Sequence, residues 1–207
     1  MRERLARTEV GRRGFGTARD GWLAPRVRGD FALEPGGAPP PTKLTPAAVL
    51  VPLVSRGAEL SVLLTERTPH LSAHAGQVAF PGGRIEESDR DPVHAALRET
   101  EEEVGLPGDH VSVIGRLDTY ITGTGFEITP VVGLVPAPFP VRPDPREVAA
   151  VFEVPLAFVL DTANHERHSR EFKGRIRTFF VLPYPGHYIW GATAGMLVNL
   201  AEILGAR

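Results

Sequence analysis

Apolar and β-branched residues recur in short runs along the middle of the chain, and polar or glycine-rich turns separate these runs. Residues 47–54 and 60–65 are two such runs, and the intervening SRGAE is typical of a β-hairpin. The same pattern predicts further strands at residues 78–80, 111–120 and 128–135. We therefore expect a β-sheet that begins near Thr45.

The pattern becomes helical after residue 90. The Asp-Pro pair at 91–92 is a helix start, because an aspartate caps free backbone amides and proline fits the first helical position. Gly105 is a stop, since glycine readily adopts the left-handed conformation that follows a last turn. At about 100° per residue, Glu99, Glu102 and Glu103 fall within a narrow arc. A separate stripe is expected to face the core: Val93, Ala96, Leu97, Thr100 and Val104.

Three carboxylates on one arc repel one another, and each raises the pKa of its neighbours. Arg98 lies beside Glu102 on the helical wheel and offsets part of this repulsion. A hard divalent cation such as Mg²⁺ would offset the rest, because it prefers carboxylate oxygens and keeps positions for water and phosphate. The alternative is an ordinary solvated face, which is what most glutamate-rich helices present.

The second half of the chain continues the alternation of strands and helices. Residues 136–145 are rich in proline and predict an ordered surface loop. Residues 147–156 predict a strand that runs into a short helix, with Glu153 facing solvent.

Residues 165–183 predict a hairpin that turns at Lys173 and Gly174. Residues 188–204 have helical periodicity and predict a helix that packs over the sheet. The pattern as a whole indicates the α/β class, with a mixed sheet and helices.

Residues 83–106 resemble the Nudix box, in which a glycine and an acid precede R-E-x-x-E-E-x-G and an apolar residue. The matching positions are Gly83, Asp89, Arg98, Glu99, Glu102, Glu103, Gly105 and Leu106. There are three departures from the usual pattern. Asp89 stands for a glutamate, the spacer before Arg98 is one residue longer, and Thr100 stands where an aliphatic residue is common.

Residues 63–83 are similar to a second signature, L-L-T-x-R-S-x3-R-x3-G-x3-F-P-G-G, of the coenzyme A pyrophosphatase branch of Nudix hydrolases. The matching positions are Leu63, Leu64, Thr65, Arg67, Gly76, Phe80, Pro81, Gly82 and Gly83. Thr68 replaces the serine, and Ser72 replaces an arginine that would suit substrate phosphate. The longer spacer in the box is typical of this branch.

The resemblance covers residues 47–204 and implies the Nudix α/β/α sandwich, with the box helix and a C-terminal packing helix. It implies metal-dependent hydrolysis of a nucleoside diphosphate that is linked to another group. Glu99, Glu102 and Glu103 would hold Mg²⁺ or Mn²⁺. For coenzyme A, the products would be 3′,5′-ADP and 4′-phosphopantetheine.

The resemblance also suggests roles for the neighbouring residues. Arg98 would orient the glutamates, and Asp89 would reach the metal through water. Glu147 is a candidate further ligand or water-activating base, although an ordinary surface glutamate is an equal alternative. The candidate substrate-binding residues are Arg67, His74, Gly82 and Gly83.

Composition narrows the class of protein. The formal net charge of −2 gives no general electrostatic reason to bind nucleic acid or an anionic membrane. Cysteine is absent, which excludes disulfides, thiolate ligands and thiol nucleophiles. No apolar run approaches membrane-spanning length and no secretory signal is visible. We expect a cytoplasmic monomer or homodimer that acts on a small nucleotide such as coenzyme A.

Residues 1–42 are rich in arginine, glycine and proline, and we interpret them as an N-terminal extension to a Nudix domain at residues 43–207. Two alternatives to coenzyme A hydrolysis stay open. The first is a pyrophosphatase for ADP-ribose or another nucleotide-linked diphosphate, which the change at Ser72 favours. The second is a Nudix module that binds a nucleotide without hydrolysing it, which an intact glutamate cluster disfavours.

Overall fold

The computed structural model describes residues 26–33, 42–70, 76–172 and 174–206. Ser72 and His74 of the second signature lie outside these residues, as does most of the predicted N-terminal extension.

Within the described residues, nine strands form one mixed sheet: β1 (Val27–Arg28), β2 (Thr45–Arg56), β3 (Glu59–Arg67), β4 (Val78–Ala79), β5 (Gly82–Arg84), β6 (Ser112–Arg116), β7 (Thr119–Ile121), β8 (Phe126–Pro136) and β9 (Val148–Pro155). Three more strands form a smaller antiparallel sheet: β10 (Glu166–Phe172), β11 (Arg175–Tyr184) and β12 (His187–Trp190). The helices are α1 (Pro92–Val104), α2 (Leu156–Leu160) and α3 (Gly191–Leu204).

The large sheet is organised around β2. Its central order is β1-β7-β8-β2-β3-β4, while β5 pairs with β2, β6 with β8 and β9 with β3. β2 and β8 run parallel, from Thr45 opposite Phe126 to Ser55 opposite Pro136. β2 and β3 form the hairpin that the sequence predicts. Because β2 is buried on both faces, its sequence is a continuous apolar run rather than an alternating one.

Alternate residues of β2 serve two cores on opposite faces of the sheet. Ala48, Leu50 and Val54 pack with the apolar residues of α1. The intervening residues, including Val49 and Val51, pack with α2 and α3. Helices on both faces of a mixed sheet give the three-layered α/β/α sandwich that was predicted.

Local sequence signals set both ends of α1 as predicted. The Asp91 carboxylate accepts a hydrogen bond from the His94 backbone N–H at 2.8 Å, which caps the first turn. Gly105 ends the helix in the left-handed conformation, with φ of 69°, and its N–H donates to the Glu101 carbonyl at 2.9 Å.

The strand predicted at residues 111–120 is wrong as one element, because the chain breaks into β6 and β7 at Leu117 and Asp118. The Asp118 backbone N–H donates to the Asn199 side chain of α3 at 3.0 Å. Its carboxylate accepts from Arg28 Nε at 2.8 Å. These partners are distant in sequence, so no local pattern signals the break.

The helix predicted at residues 188–204 begins too early. Residues 188–190 belong to β12, where Ile189 is fully buried and pairs with Leu182 of β11. The early start reflects pairing with a neighbouring strand, which periodicity does not report. Glu153, predicted to face solvent, has 27% of its side chain exposed, and its carboxylate forms an ion pair with Arg56 at 2.7 Å and accepts a short hydrogen bond from Ser61.

Part of the predicted N-terminal extension joins the large sheet. β1 pairs in parallel with β7, and Arg28 forms an ion pair with Glu202 of α3 at 2.8 Å. The Tyr120 hydroxyl donates to the Asp30 carboxylate at 2.5 Å. The domain boundary at residue 42 stays a prediction.

None of the helices formed by the described residues has both the length and the apolar character needed to cross a membrane.

Candidate active site

Glu103 of α1 places a carboxylate inside the protein, with 6% of its side chain exposed. Its Oε2 accepts a hydrogen bond from the Gly82 backbone N–H at 3.0 Å, and its Oε1 lies 3.5 Å from Arg67 Nη1. Burial raises the pKa of Glu103 to about 7, and the charges of Glu147 and Glu99 act in the same direction. A buried acid with such a pKa marks a candidate site for proton transfer or cation binding.

Two glycines bring the backbone of β5 against the carboxylates. Gly82 has φ of 151°, and a Cβ there would lie 2.4 Å from the Ala48 carbonyl oxygen on β2. A Cβ on Gly83 would lie 2.4–2.6 Å from the carboxyl atoms of Glu99. Glycine is therefore required at position 82 by the backbone of β2, whereas at position 83 it lets the Glu99 carboxylate lie directly against the strand.

The other two box glutamates are progressively more exposed. Glu99 has 19% of its side chain exposed, and burial raises its pKa, with Glu102 and Glu147 contributing further. Glu102 is 60% exposed and accepts a hydrogen bond from Arg98 Nη1 at 3.2 Å. The narrow arc predicted from the helical wheel therefore runs from a buried carboxylate to a solvated one.

The apolar stripe predicted on α1 faces the core, as expected. Ala96, Thr100 and Val104 are fully buried, while Val93 and Leu97 are half-buried and pack against the same apolar cluster. Ala95 and Glu103 are buried as well, so the buried face is wider than the predicted stripe and includes a predicted site residue.

Arg98 joins α1 to the loop that precedes it. Its Nε and Nη2 donate to the two Asp89 oxygens at 3.0 and 2.9 Å, and its Nη1 donates to Glu99 at 3.0 Å. The Asp89 side chain has no exposed surface, and it also accepts from the Glu86 N–H at 2.8 Å and contacts the His94 ring at 2.8 Å. The Arg98 guanidinium holds the pKa of Asp89 well below its usual range. The Asp89 carboxylate is thus directed at Arg98, although the sequence suggested a path to metal through water.

Arg67 at the end of β3 is a second cation of the site, with looser contacts. Its Nη1 lies 3.5 Å from Glu103, and its Nη2 lies 3.8 Å from Glu147. Its Nε is buried and has no hydrogen-bond partner among the described residues. This guanidinium faces two carboxylates without a short bond to either.

The proline-rich loop brings Glu147 to the same end of α1. The Arg142 N–H donates to the Val104 carbonyl at 2.7 Å, and the Asp144 N–H donates to the Glu103 carbonyl at 2.9 Å. The Glu147 N–H then donates to the Asp144 carbonyl at 3.0 Å. The loop therefore satisfies carbonyls that the helix end leaves unpaired, and it positions a fourth glutamate near Glu99 and Glu103.

The carboxylates suit a divalent cation in their chemistry. Carboxylate oxygens are the ligands that Mg²⁺ and Mn²⁺ prefer, and a cation would relieve the repulsion among Glu99, Glu103 and Glu147. In the structure, however, these carboxylates do not yet point at one common position where a metal ion could bind. Across residues 26–33, 42–70, 76–172 and 174–206, no three histidine, aspartate or glutamate side chains form a ready-made metal site.

Most of the predicted site residues lie together, and Glu102 is the outermost of them. The residues brought together are Arg67, Gly82, Gly83, Arg98, Glu99, Glu103 and Glu147.

Thr68 was not predicted as a site residue, although its place beside Arg67 in the second signature was the available signal. Its hydroxyl donates a hydrogen bond to the Arg146 carbonyl, and its backbone N–H donates to the Glu147 carbonyl.

Comparisons with known proteins identify the family of this chain. The NUDIX domain family model matches residues 43–176. The uncharacterized Nudix hydrolase NudL of Escherichia coli strain K12 is 43% identical over 161 residues, which cover 78% of this chain and 83% of that relative.

Among solved structures, a binary complex of the Caenorhabditis elegans Ap4A hydrolase has a TM-score of 0.46 and 19% identity, over 55% of this chain and 82% of that chain. The Nudix hydrolase RenU of Mycobacterium smegmatis has a TM-score of 0.44 and 25% identity, over 67% and 81%. The family assignment rests on the sequence comparisons. Because a family model matches more than half of its residues and a relative shares 43% identity, this chain belongs to the Nudix family of hydrolases.

Proposed function

We propose that this chain hydrolyses the diphosphate bond of coenzyme A, or of a coenzyme A derivative, to 3′,5′-ADP and 4′-phosphopantetheine. The observation that carries the proposal is the contact between its two signatures. Arg67 of the second signature lies 3.5 Å from Glu103 of the box, so the residues that resemble the coenzyme A branch adjoin the buried carboxylate.

In this proposal Glu99, Glu102 and Glu103 hold Mg²⁺ or Mn²⁺, and Glu147 is a further ligand or the base that takes a proton from water. When bound, the ion supplies positive charge for the diphosphate and acidifies a water molecule. The exposed Glu102 would turn from Arg98 to join the buried pair.

The remaining site residues orient the glutamates or provide positive charge for the substrate. Arg98 holds α1 to the preceding loop and orients Glu99 through the hydrogen bond at 3.0 Å. Arg67 presents a guanidinium suited to substrate phosphate. The Gly82 amide is engaged by Glu103, so Gly82 supports this carboxylate rather than phosphate.

The test is chromatographic product analysis with coenzyme A and ADP-ribose offered separately, each with Mg²⁺, with Mn²⁺ and with chelator. We expect metal-dependent release of 3′,5′-ADP from coenzyme A, well above any cleavage of ADP-ribose. Cleavage of ADP-ribose alone would overturn the substrate. Absence of both reactions would favour another nucleotide or the non-catalytic alternative.

ADP-ribose, or another nucleotide-linked diphosphate, is a second candidate because Ser72 occupies the position of an arginine in the second signature. Loss of that guanidinium removes a contact that a phosphate of coenzyme A would use. Ser72→Arg tests this reasoning. If the missing guanidinium disfavours coenzyme A, the replacement should raise cleavage of coenzyme A relative to ADP-ribose, whereas an unchanged ratio would make Ser72 a tolerated variation.

A further inference from the structure

Thr68 is a buried polar residue that follows Arg67 directly, with 6% of its surface exposed. It makes two hydrogen bonds to the turn that precedes β9. Its hydroxyl donates to the Arg146 carbonyl at 3.2 Å, and its backbone N–H donates to the Glu147 carbonyl at 2.9 Å. Thr68 therefore holds the carbonyls on both sides of the Glu147 Cα atom.

The opposite side of the same turn is held by α1. The Asp144 N–H donates to the Glu103 carbonyl at 2.9 Å, while the Asp144 carbonyl accepts from the N–H groups of Glu147 and Val148 at 3.0 and 2.8 Å. Glu147 thus lies between two anchors, one from the end of β3 and one from the end of the helix that carries the glutamates.

The two anchors determine where the Glu147 carboxylate can lie. This side chain is 49% exposed, and its ion pair within the described part of the chain is a long one, at 3.8 Å from Arg67 Nη2. Its own contacts are therefore too weak to fix it, so its direction depends on the backbone of the turn. Since Arg67 and Thr68 are adjacent, one short stretch of β3 sets the positions of both the guanidinium and the turn.

We infer that Thr68 is a positioning residue for Glu147, and that its hydroxyl aligns this carboxylate with Glu99 and Glu103 for hydrolysis. The inference rests on the proposed function in taking Glu147 as a carboxylate of the hydrolytic site. A purely structural Thr68 would support stability without acting through Glu147.

The test compares Thr68→Val with Thr68→Ser and with a matched control. Valine keeps the shape and the backbone N–H but removes the hydroxyl, whereas serine keeps the hydroxyl. Thr193→Val is the control, because Thr193 is 7% exposed and its hydroxyl donates to the Val78 carbonyl at 3.0 Å. It loses an equivalent bond at a buried site outside the turn that carries Glu147.

We expect Thr68→Val to lower kcat by about tenfold to a hundredfold, the scale expected for a displaced catalytic group, with KM changed by less than about threefold. Thr68→Ser should restore most of the loss. Thr193→Val should lower the unfolding midpoint about as much as Thr68→Val does, and leave kcat near the wild-type value.

A double-mutant cycle with Glu147→Gln decides whether Thr68 acts through Glu147. It is measured both on kcat and on Mn²⁺ affinity by calorimetry. We expect Thr68→Val to add no further change on either readout once Glu147→Gln is present. An equal effect of Thr68→Val in both backgrounds, or a wild-type kcat for Thr68→Val or Glu147→Gln, would overturn the inference.

The experiment also separates this inference from the proposed substrate. If the wild-type protein fails to cleave coenzyme A, the proposed function is wrong. The Mn²⁺ cycle still decides the role of Thr68, and there the inference requires that Thr68→Val and Glu147→Gln each weaken binding.

Discussion

The site contains two arginines with opposite kinds of contacts. Arg98 makes a bidentate pair of hydrogen bonds to Asp89 at 2.9–3.0 Å and a further hydrogen bond to Glu99 at 3.0 Å. Arg67 lies 3.5 and 3.8 Å from its two carboxylates, and its buried Nε has no partner among the described residues. The Arg98 guanidinium is therefore fully hydrogen-bonded within the protein, whereas the Arg67 guanidinium makes no short hydrogen bond to its two carboxylates.

The difference separates two uses of the same side chain. A guanidinium held by short hydrogen bonds to a carboxylate whose side chain has no exposed surface stabilises local structure, because loss of the guanidinium would leave that carboxylate short of donors. A guanidinium at 3.5 Å or more retains much of its capacity for a new anion. Arg98 therefore belongs to the framework of the site, and Arg67 is suited to a ligand.

The largest expected loss of stability comes from Arg98→Met. Asp89 would lose its arginine partner but keep the Glu86 N–H and the His94 ring, so the free energy of unfolding should fall by about 1–3 kcal/mol. Urea denaturation of the metal-free protein at neutral pH measures this change. A loss below about 1 kcal/mol would contradict the structural role of Arg98.

Glu103→Gln tests the carboxylate that Arg67 faces. Because the pKa of Glu103 is raised to about 7 in the folded protein, its ionisation on folding is unfavourable, and wild-type stability should fall as pH rises from about 4.5 through 7. Glutamine does not ionise, so metal-free Glu103→Gln should be more stable than wild type by about 3 kcal/mol at pH 8 and by less than about 1 kcal/mol at pH 5.

Denaturation curves at the two pH values measure the difference, and turnover should be lost in the same variant. A constant difference between pH 5 and 8 would show that the Glu103 pKa is not raised. Retained turnover by the folded variant would remove Glu103 from the proposed metal ligands.

Arg67→Met should have the smallest effect on stability, within about 1 kcal/mol, since its ion pairs are long and its unpaired Nε is removed as well. The KM for the nucleotide should rise about tenfold, the scale of one charge-assisted bond to phosphate. Steady-state kinetics and urea denaturation measure the two effects. A stability loss equal to that of Arg98→Met would abolish the distinction between the two arginines.

Local chemistry made parts of this fold predictable. The ends of α1 follow from Asp91 and Gly105, whose effects act within a few residues. The strand break at Asp118 could not be predicted, because Asn199 contacts it from a distant part of the chain. The early start assigned to α3 has another cause, since residues 188–190 pair with β11 across a tight turn and helical periodicity does not report that pairing.

The properties of the site also divide into those that the local sequence predicts and those that tertiary contacts determine. The box glutamates could be recognised from spacing, but the burial of Glu103 depends on Gly82, which is 21 residues away. The spacing placed Glu102 and Glu103 alike, whereas the sheet leaves one solvated and buries the other. Position along the chain identifies carboxylates, and tertiary packing determines their pKa.

The pairing of β1 with β7 has a consequence for fragments of this protein. A fragment limited to residues 43–176, the range matched by the family model, would lack β1, β12 and α3. One edge of the sheet would be bare, and Val49, Val51 and Leu53 would lose the helix that covers them. We therefore expect such a fragment to be less stable than the whole chain, because it lacks contacts at both of its ends.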